Sequence, residues 1–229
     1  MPSLLEIQLD LLLARDAHGR LVATRDPVPR PAPRLFLSRS REGCLWTTRR
    51  DVDPATRDEL HRLCACEPSL ADPSPLRSPG CRARVCELLA PVATEHRGPC
   101  YVLPDRLPVD ERAREIAGGE SSDWPEAFPW LSDEFESIAP VAIAFEAGQP
   151  AAICHSPRGL TSVAAEAGVE TLEPFRGRGL ATAAVVCWAR AVQRTRRLAL
   201  YSTSWENAAS QAVARRLSAR LYGENWLVA

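Results

Sequence analysis

Short stretches of alternating apolar and polar residues dominate the first part of the chain. Apolar residues at 7–11 alternate with polar neighbours, a turn-like segment follows at 16–20, and a second apolar run at 21–23 returns. A period of two is typical of strands, so this region predicts a hairpin. Two further apolar runs lie within residues 35–47, after a proline-rich link. We therefore predict a β-rich extension over residues 1–45.

Helical patterns follow this extension. Asp53 is a favourable N-cap, Pro54 suits the first helical position, and Leu60 and Cys64 lie four residues apart on one face. After a second proline-rich break, Val85 begins a further apolar pattern that predicts another helix. Two helices are therefore expected in the region 54–89.

The segment 98–137 is rich in acidic and aromatic residues and predicts an insert. Carboxylates beside aromatic rings would suit a cationic amine. A solvated charged face whose aromatic residues anchor a loop explains the same composition and is favoured. The residues concerned are Asp110, Glu111, Glu115, Glu120, Asp123, Trp124, Glu126, Phe128, Trp130, Asp133, Glu134 and Glu136.

A strand, a glycine-rich turn and a helix follow one another between residues 166 and 192. Before them, the apolar runs 141–145 and 151–154 flank turn-forming residues and predict a hairpin. The strand 166–173 leads into Gly177 and Gly179, after which apolar residues recur at helical spacing.

The glycine-rich turn has the chemistry of an anion site. Gly177 and Gly179 allow close approach of the backbone, and the first turn of the following helix leaves its N–H groups unpaired. Those donors and the helix dipole favour an anion. Arg176 and Arg178 add charge-assisted donors for phosphate oxygens. The pattern predicts a binding site for a diphosphate at the glycine-rich turn and the first turn of the following helix. We call this predicted site the cradle.

Two common phosphate sites do not fit this pattern. A Walker loop requires lysine, and all 28 basic residues of this chain are arginine. A dinucleotide-binding fingerprint would have glycine or alanine at Thr182 and repeated strand–helix units around it, and neither is evident.

The motif resembles the acyl-coenzyme A loop of the GNAT superfamily of N-acetyltransferases. Arg176, Gly179 and Ala181 match that loop in register. The preceding strand resembles the family's fourth strand, with Glu166 where many members have a glutamate. Residues 198–205 resemble its fifth strand, followed by a helix led by Asn207. The match is strong over about the C-terminal third of the chain.

The resemblance implies a mixed α/β fold in which helices pack on a mixed sheet. It implies a GNAT-like domain over residues 46–229, with 1–45 as a β-rich extension and 98–137 as the insert. The strand and helices after Trp46 would then be the family's first strand and its two acceptor-flanking helices. The sequence leaves open whether the extension packs on the core or mediates homodimerisation.

The resemblance also implies acetyl-coenzyme A as cosubstrate. Its pantetheine amides would pair with the strand, and its diphosphate would lie in the cradle. Asn207 is also a good N-cap, and the two roles are compatible. The implied cofactor-binding residues are Val169, Thr171, Leu172, Arg176, Gly177, Arg178, Gly179, Leu180, Ala181, Thr182 and Asn207.

Glu166 is the first candidate for the general base, with a surface carboxylate as the equally weighted alternative. Glu170 is the reserve, because a two-residue period would place it on the same strand face. Many family members place a tyrosine acid seven residues after the asparagine, whereas this chain has Ala214. Possible substitutes are Tyr222, Tyr201, Ser202 and Ser204. For Tyr222, a buried structural role is commoner than a catalytic one.

The net charge and the spacing of the cysteines argue against several kinds of binding partner and against a metal site. The formal net charge of −1 argues against nucleic-acid or anionic-membrane partners. No apolar run is long enough to span a bilayer, and no signal peptide is evident, so the cytoplasm is expected. His61, Cys64, Cys66, Cys81 and Cys86 lack the usual paired spacing of a zinc site. Reduced thiols are favoured, and no metal site is predicted.

The function expected from the resemblance is transfer of acetyl from acetyl-coenzyme A to a primary amine by direct attack in a ternary complex. The acceptor would be a small molecule or a peptide. The alternative is a non-catalytic domain that binds or senses acyl-coenzyme A and has lost the acid at Ala214.

Overall fold

The chain forms two compact units. A computed structural model describes residues 2–116, 126–158 and 161–229. The first unit comprises Met1–Tyr101, Ser202–Ala208 and Leu221–Ala229. The second comprises Val102–Tyr201 and Ala209–Arg220. Each unit therefore draws on segments that are far apart in the sequence.

The first unit contains four neighbouring strands of a mixed sheet, together with helices and a small hairpin. The strands of the sheet lie in the order β4-β3-β12-β5, and the hairpin is formed by β1 and β2. The elements are α1 (Leu4–Leu12), β1 (Leu13–Arg15), β2 (Leu21–Thr24), β3 (Leu35–Ser40), β4 (Gly43–Thr48), α2 (Pro54–Ala65), α3 (Arg82–Leu88), β5 (Glu95–Val102) and β12 (Arg220–Val228).

The strand predicted at 7–11 is wrong, because these residues belong to helix α1. Ser3 and Glu6 form a reciprocal capping box that starts the helix. Leu5, Leu9 and Leu12 recur at helical spacing and are buried. In a leucine-rich segment, the apolar positions expected for a strand and those expected for a helix partly coincide. The capping box of Ser3 and Glu6 favours the helix.

The remaining predictions for this unit concern its hairpins, its two helices and the domain boundary. The returning strand of the predicted hairpin, at 21–23, is confirmed as β2, but its antiparallel partner is β1 rather than residues 7–11. β3 and β4 form a second antiparallel hairpin, so the predicted domain boundary after residue 45 falls inside β4. Helices α2 and α3 are confirmed, and the Asp53 carboxylate accepts the Thr56 N–H at 3.0 Å as the predicted N-cap.

The two faces of the first sheet bury different residues of the same strands. Leu35 and Leu37 pack in one cluster with Leu60 of α2 and Val85 of α3. Phe36, between them, packs in a cluster with Leu9 of α1. This alternation follows from the two-residue period of a strand. It shows that β3 is covered on both faces.

The second unit contains an antiparallel sheet of order β10-β8-β7-β6 and a parallel pair formed by β9 and β11. Its elements are β6 (Ala113–Ile116), α4 (Leu131–Ile138), β7 (Val141–Glu146), β8 (Gln149–His155), β9 (Ala164–Glu166), β10 (Gly168–Thr171), a 3₁₀ turn (Glu173–Phe175), α5 (Leu180–Arg194), β11 (Leu198–Ser202) and α6 (Ala208–Arg216).

The segment 98–137 is more ordered than the favoured loop interpretation expected. It includes most of β5, all of β6, and α4, and β6 pairs antiparallel with β7. Phe128 and Phe135 are buried in a cluster with Val141 and Ile153, so these aromatic residues are core rather than anchors of a surface loop. Glu120, Asp123 and Trp124, also predicted in this segment, lie outside the described residues.

The hairpin and the helices predicted toward the C-terminus are confirmed. β7 and β8 are joined at Ala147 and Gly148, which both have positive φ. α5 and α6 occupy the predicted positions. Among the described residues, no helix is long and apolar enough to cross a bilayer. The described residues also contain no group of three or more histidine, cysteine, aspartate or glutamate side chains placed to hold a metal ion.

A buried charge cluster connects remote segments of the first unit. Arg39, with 3% of its surface exposed, donates to Glu67 at 3.1 Å and to Glu224 at 2.6 Å. Glu224 is fully buried and also accepts from Arg97 at 3.2 Å and from the Trp205 indole at 2.8 Å. The cluster therefore joins β3 and β5 to β12.

Replacing Arg39 with leucine is expected to lower the free energy of unfolding by about 3–5 kcal/mol, because the buried Glu67 carboxylate loses its cation and Glu224 keeps only Arg97. Arg15→Leu is the control, since Arg15 pairs with Asp10 at the surface and its loss should cost less than about 1 kcal/mol. Urea unfolding of both variants measures the difference. Equal losses would contradict the role given to the buried cluster.

Candidate functional site

The strand predicted over 166–173 is two strands that separate at Ala167. Glu166 lies in β9, which pairs parallel with β11, and the Ala167 N–H donates to the Leu200 carbonyl at 3.0 Å. From Gly168 onward the chain is β10, which pairs antiparallel with β8 instead. The expectation of one continuous strand is corrected, because the backbone exchanges its hydrogen-bond partner within two residues.

β10 is an edge strand of its sheet, with β8 on one side. The Leu172 N–H donates to the Ala151 carbonyl at 3.0 Å, which fixes the direction of the backbone groups along the strand. Because these groups alternate in an antiparallel pair, the N–H and C=O of Val169 and Thr171 point away from β8. Both predicted residues thus offer backbone donors and acceptors along the edge.

The turn after β10 has the conformation that its glycines predict. The 3₁₀ turn Glu173–Phe175 leads into Gly177 with φ 79° and Gly179 with φ 81°, and Gly179 is the N-cap of α5. Both angles lie in the left-handed region, where glycine is strongly favoured. A Cβ on Gly177 would meet no atom within 4 Å, so the turn is open on that side.

The first turn of α5 presents unsatisfied donors at this opening. The N–H groups of Leu180, Ala181 and Thr182 have no acceptor within the helix, whereas Ala183 already donates to the Gly179 carbonyl at 3.2 Å. The Thr182 hydroxyl is buried and has no hydrogen-bond partner in the described part of the chain. Backbone and side chain therefore both leave hydrogen-bonding capacity for a ligand.

Carboxylates hold two arginines at the cradle. Arg178 donates to Glu146 at 2.6 Å, while Arg176 is exposed. Arg112 pairs with Asp110 through two hydrogen bonds of 2.9 Å and 2.7 Å and donates to the Arg178 carbonyl at 3.4 Å. The hydrogen bond from Arg112 lowers the pKa of Asp110. Sequence reasoning missed Arg112, which lies 66 residues before Arg178.

The two carboxylates proposed as general bases have different environments. Glu166 is buried, with 3% of its surface exposed, and accepts a hydrogen bond from Arg158 at 3.3 Å. Glu170 is exposed on β10. Because the strands separate at Ala167, the two-residue period does not carry over from one glutamate to the other. Glu166 is therefore a buried, paired carboxylate rather than a surface one.

His155 lies beside the point where the strands separate. It ends β8, opposite Gly168 of β10, and its ring centroid is 5.2 Å from that of Trp130. Its Nδ1 is buried and has no hydrogen-bond partner among the described residues. Burial lowers the pKa of His155 to about 4, so the imidazole is neutral near pH 7. The sequence contained no signal for this placement.

Two of the predicted site residues belong to the first unit. The Asn207 N–H donates to the Ser204 carbonyl at 3.2 Å, and α6 begins at the next residue. Tyr222 is buried and donates its phenol hydrogen to Gln8 at 2.6 Å. In the second unit, Ala214 is buried within α6. The roles of Asn207 and Tyr222 toward the cradle stay predictions.

No protein-family profile matches the chain, and no curated protein matches it. Several solved structures are similar to the chain. An acetyltransferase of the GNAT family from Colwellia psychrerythraea matches with a TM-score of 0.50 and 13% identity, covering 93% of this chain and 82% of that protein. At this identity the similarity shows the fold.

Two other matches are shorter. A protein described as a GNAT-family acetyltransferase from Novosphingobium aromaticivorans has a TM-score of 0.45 and 16% identity over 60% of this chain. A GCN5-related N-acetyltransferase from Kribbella flavida has a TM-score of 0.46 and 20% identity over 65%. The chain spans 65% and 63% of the lengths of these two proteins, respectively.

The buried imidazole predicts a specific loss of stability in acid. The pKa of His155 is lower in the folded chain than in the unfolded one, so the unfolded chain binds more protons between about pH 6.5 and pH 4. From pH 7.5 to pH 5, the wild type should lose about 2 kcal/mol more unfolding free energy than His155→Leu. Urea unfolding at the two pH values measures this difference.

His61→Leu, which replaces an exposed histidine of α2, should keep the wild-type pH dependence. If His155→Leu also keeps the wild-type pH dependence of the unfolding free energy, the buried neutral imidazole is not the cause of that dependence.

Proposed function

We propose that this chain, which has the fold of the GNAT-family acetyltransferases, is an acetyl-coenzyme A-dependent N-acetyltransferase. The acceptor is a primary amine of a small molecule or peptide, and transfer takes place by direct attack in a ternary complex. The observation that carries the proposal is the edge strand β10 leading into the open turn at the start of α5.

The residues of this region fit the cosubstrate. The outward backbone groups of Val169 and Thr171 suit the two amides of a pantetheine arm. The free N–H groups at the start of α5 and the unpaired Thr182 hydroxyl suit a diphosphate, and Arg176 and Arg178 add positive charge. Leu172, Gly177, Gly179, Leu180 and Ala181 complete this set.

When bound, acetyl-coenzyme A supplies an acetyl group activated as a thioester. Glu166, paired with Arg158, would accept the proton that the attacking amine loses, directly or through water. Ala214 has no proton to give to the departing thiolate, so the acid must be another residue, such as Tyr222, or water. Cytoplasmic location and homodimer formation stay predictions.

A non-catalytic acyl-coenzyme A sensor remains the second candidate, favoured by the buried Ala214 where many GNAT members have a tyrosine. A sensor would keep the cofactor-binding residues and need no base. Both functions therefore require binding of acetyl-coenzyme A, but only the acetyltransferase would transfer the acetyl group to an amine.

Acetyl-coenzyme A is expected to bind saturably to the wild type, and Gly179→Trp should weaken binding at least about tenfold. The indole would strain a backbone with φ 81° and obstruct the approach to the helix N-terminus. Calorimetric titration measures both. Gly19→Trp is the matched control, because Gly19 has φ 77° and lies in the first unit. Absence of binding by folded wild type would contradict both candidate functions.

Glu166→Gln is expected to lower kcat about a hundredfold in an amine screen while leaving the Kd for acetyl-coenzyme A unchanged, because a general base contributes to the chemical step. Glu170→Gln is compared in the same assay, and a larger loss there would transfer the role to Glu170. If the wild type binds cofactor but acetylates no amine, the sensor is supported instead.

A further inference from the structure

The first unit holds a pair of neighbouring thiols that the proposed function does not use. Cys64 lies in the last turn of α2, and Cys81 immediately precedes α3. Both side chains are buried in the same hydrophobic cluster, with 0% and 8% of their surfaces exposed. The two reduced thiols share a hydrogen bond. The fold therefore brings together two cysteines that stand on either side of a proline-rich segment, residues 68–80.

A carboxylate beside this pair helps to keep it protonated. The Glu67 carboxylate accepts the Cys81 backbone N–H at 2.6 Å and also contacts the Cys81 thiol. The hydrogen bond with Cys64, burial and the nearby Glu67 charge together raise the pKa of the Cys81 thiol. Because the thiolate is the reactive form of cysteine, this arrangement slows the reaction of Cys81 with oxidants. The pair should therefore react only when its surroundings open.

The proline-rich segment joins the two cysteines and, in the described chain, belongs to no helix or strand. Among its anchors to β3, the Leu70 N–H donates to the Ser40 carbonyl at 2.7 Å. The Arg77 carbonyl accepts from the Arg39 guanidinium at 2.6 Å. Between these anchors, Leu76 has 92% of its surface exposed. A segment of this kind opens at a lower free energy than the whole unit unfolds, and its opening gives a small oxidant access to the two thiols.

We propose that Cys64 and Cys81 form a reversible disulfide when a low-molecular-weight disulfide oxidises the chain. With the segment open, one cysteine loses its proton to solvent, and its thiolate attacks one sulfur of the oxidant and releases a first thiol. The second cysteine then attacks the mixed disulfide, forms the Cys64–Cys81 bond and releases a second thiol. The two cysteine sulfurs are oxidised, and the oxidant is reduced to two thiols that take up the two protons. This modification site is independent of the proposed function.

The disulfide would tie the end of α2 to the start of α3 and close a loop around the proline-rich segment. A cross-link of this kind restricts the unfolded chain, so the oxidised form should be more stable than the reduced form. Oxidation would thus hold the segment against β3, and reduction would release it. Cys66, in contrast, is exposed at the end of α2 and, two residues from Cys64, does not share its helix face. It should form only mixed disulfides with the oxidant.

The test is to treat the full, folded chain with oxidised glutathione, block the remaining thiols with iodoacetamide and digest with trypsin without reduction. Mass spectrometry should find the peptide 63–77 linked to the peptide 78–82 by a disulfide. In Cys66→Ser the link should persist, because Cys64 is then the one cysteine of the first peptide. The Tm of the oxidised wild type should rise by about 5–10 °C, and dithiothreitol should reverse the rise.

The digest of the wild type decides the proposal, so the result does not depend on the folding of a variant. If the folded wild type yields only glutathione adducts, or links another pair of cysteines in place of Cys64 and Cys81, the proposal is overturned. Cys81→Ala provides a second measurement, because it should abolish the rise in Tm on oxidation. Cys86→Ala is the matched control, since Cys86 packs against the same cluster and its loss should leave both the link and the rise in Tm unchanged. A rise in Tm that persists in Cys81→Ala would contradict the assignment.

Discussion

A β-strand can pair along two edges, and the change of partner at Ala167 is the constraint on which the candidate site depends. β9 is held by β11, and β10 is held by β8. Had β10 continued along β11, its outer edge would be consumed by pairing and no backbone groups would remain for a ligand. The same change of partner brings the cradle to the end of an edge strand and leaves Glu166 buried at the point of separation.

The backbone conformation of the glycine-rich turn was predictable because its determinants are local. Gly177, Gly179 and the start of α5 lie within a few residues of one another, and each acts through backbone geometry that any fold would have to accommodate. The β7–β8 hairpin and helix α6 were predictable for the same reason. The mixed α/β fold was expected because these local units, in this order, resemble the GNAT superfamily.

Features that arise from long-range pairing were not predictable. β6 has four residues, too few for a clear alternation, and its identity as a strand depends on β7. Arg112 reaches the cradle because β6 positions it there, and the sequence around it gives no indication of this. The burial of His155 also depends on long-range strand pairing, because His155 lies opposite Gly168 in the β8–β10 pair. At α1 the local signals conflicted, and the capping box of Ser3 and Glu6 outweighed the apparent alternation.

The position of β12 between β3 and β5 has a consequence for biosynthesis. β3 and β5 are translated early, but the strand that lies between them follows the entire second unit in the sequence. During translation, the ribosome therefore releases all of the second unit's segments while the first unit still has an open gap in its sheet. Because exposed strand edges favour pairing with other chains, this gap is a site of misassembly until β12 has been synthesised.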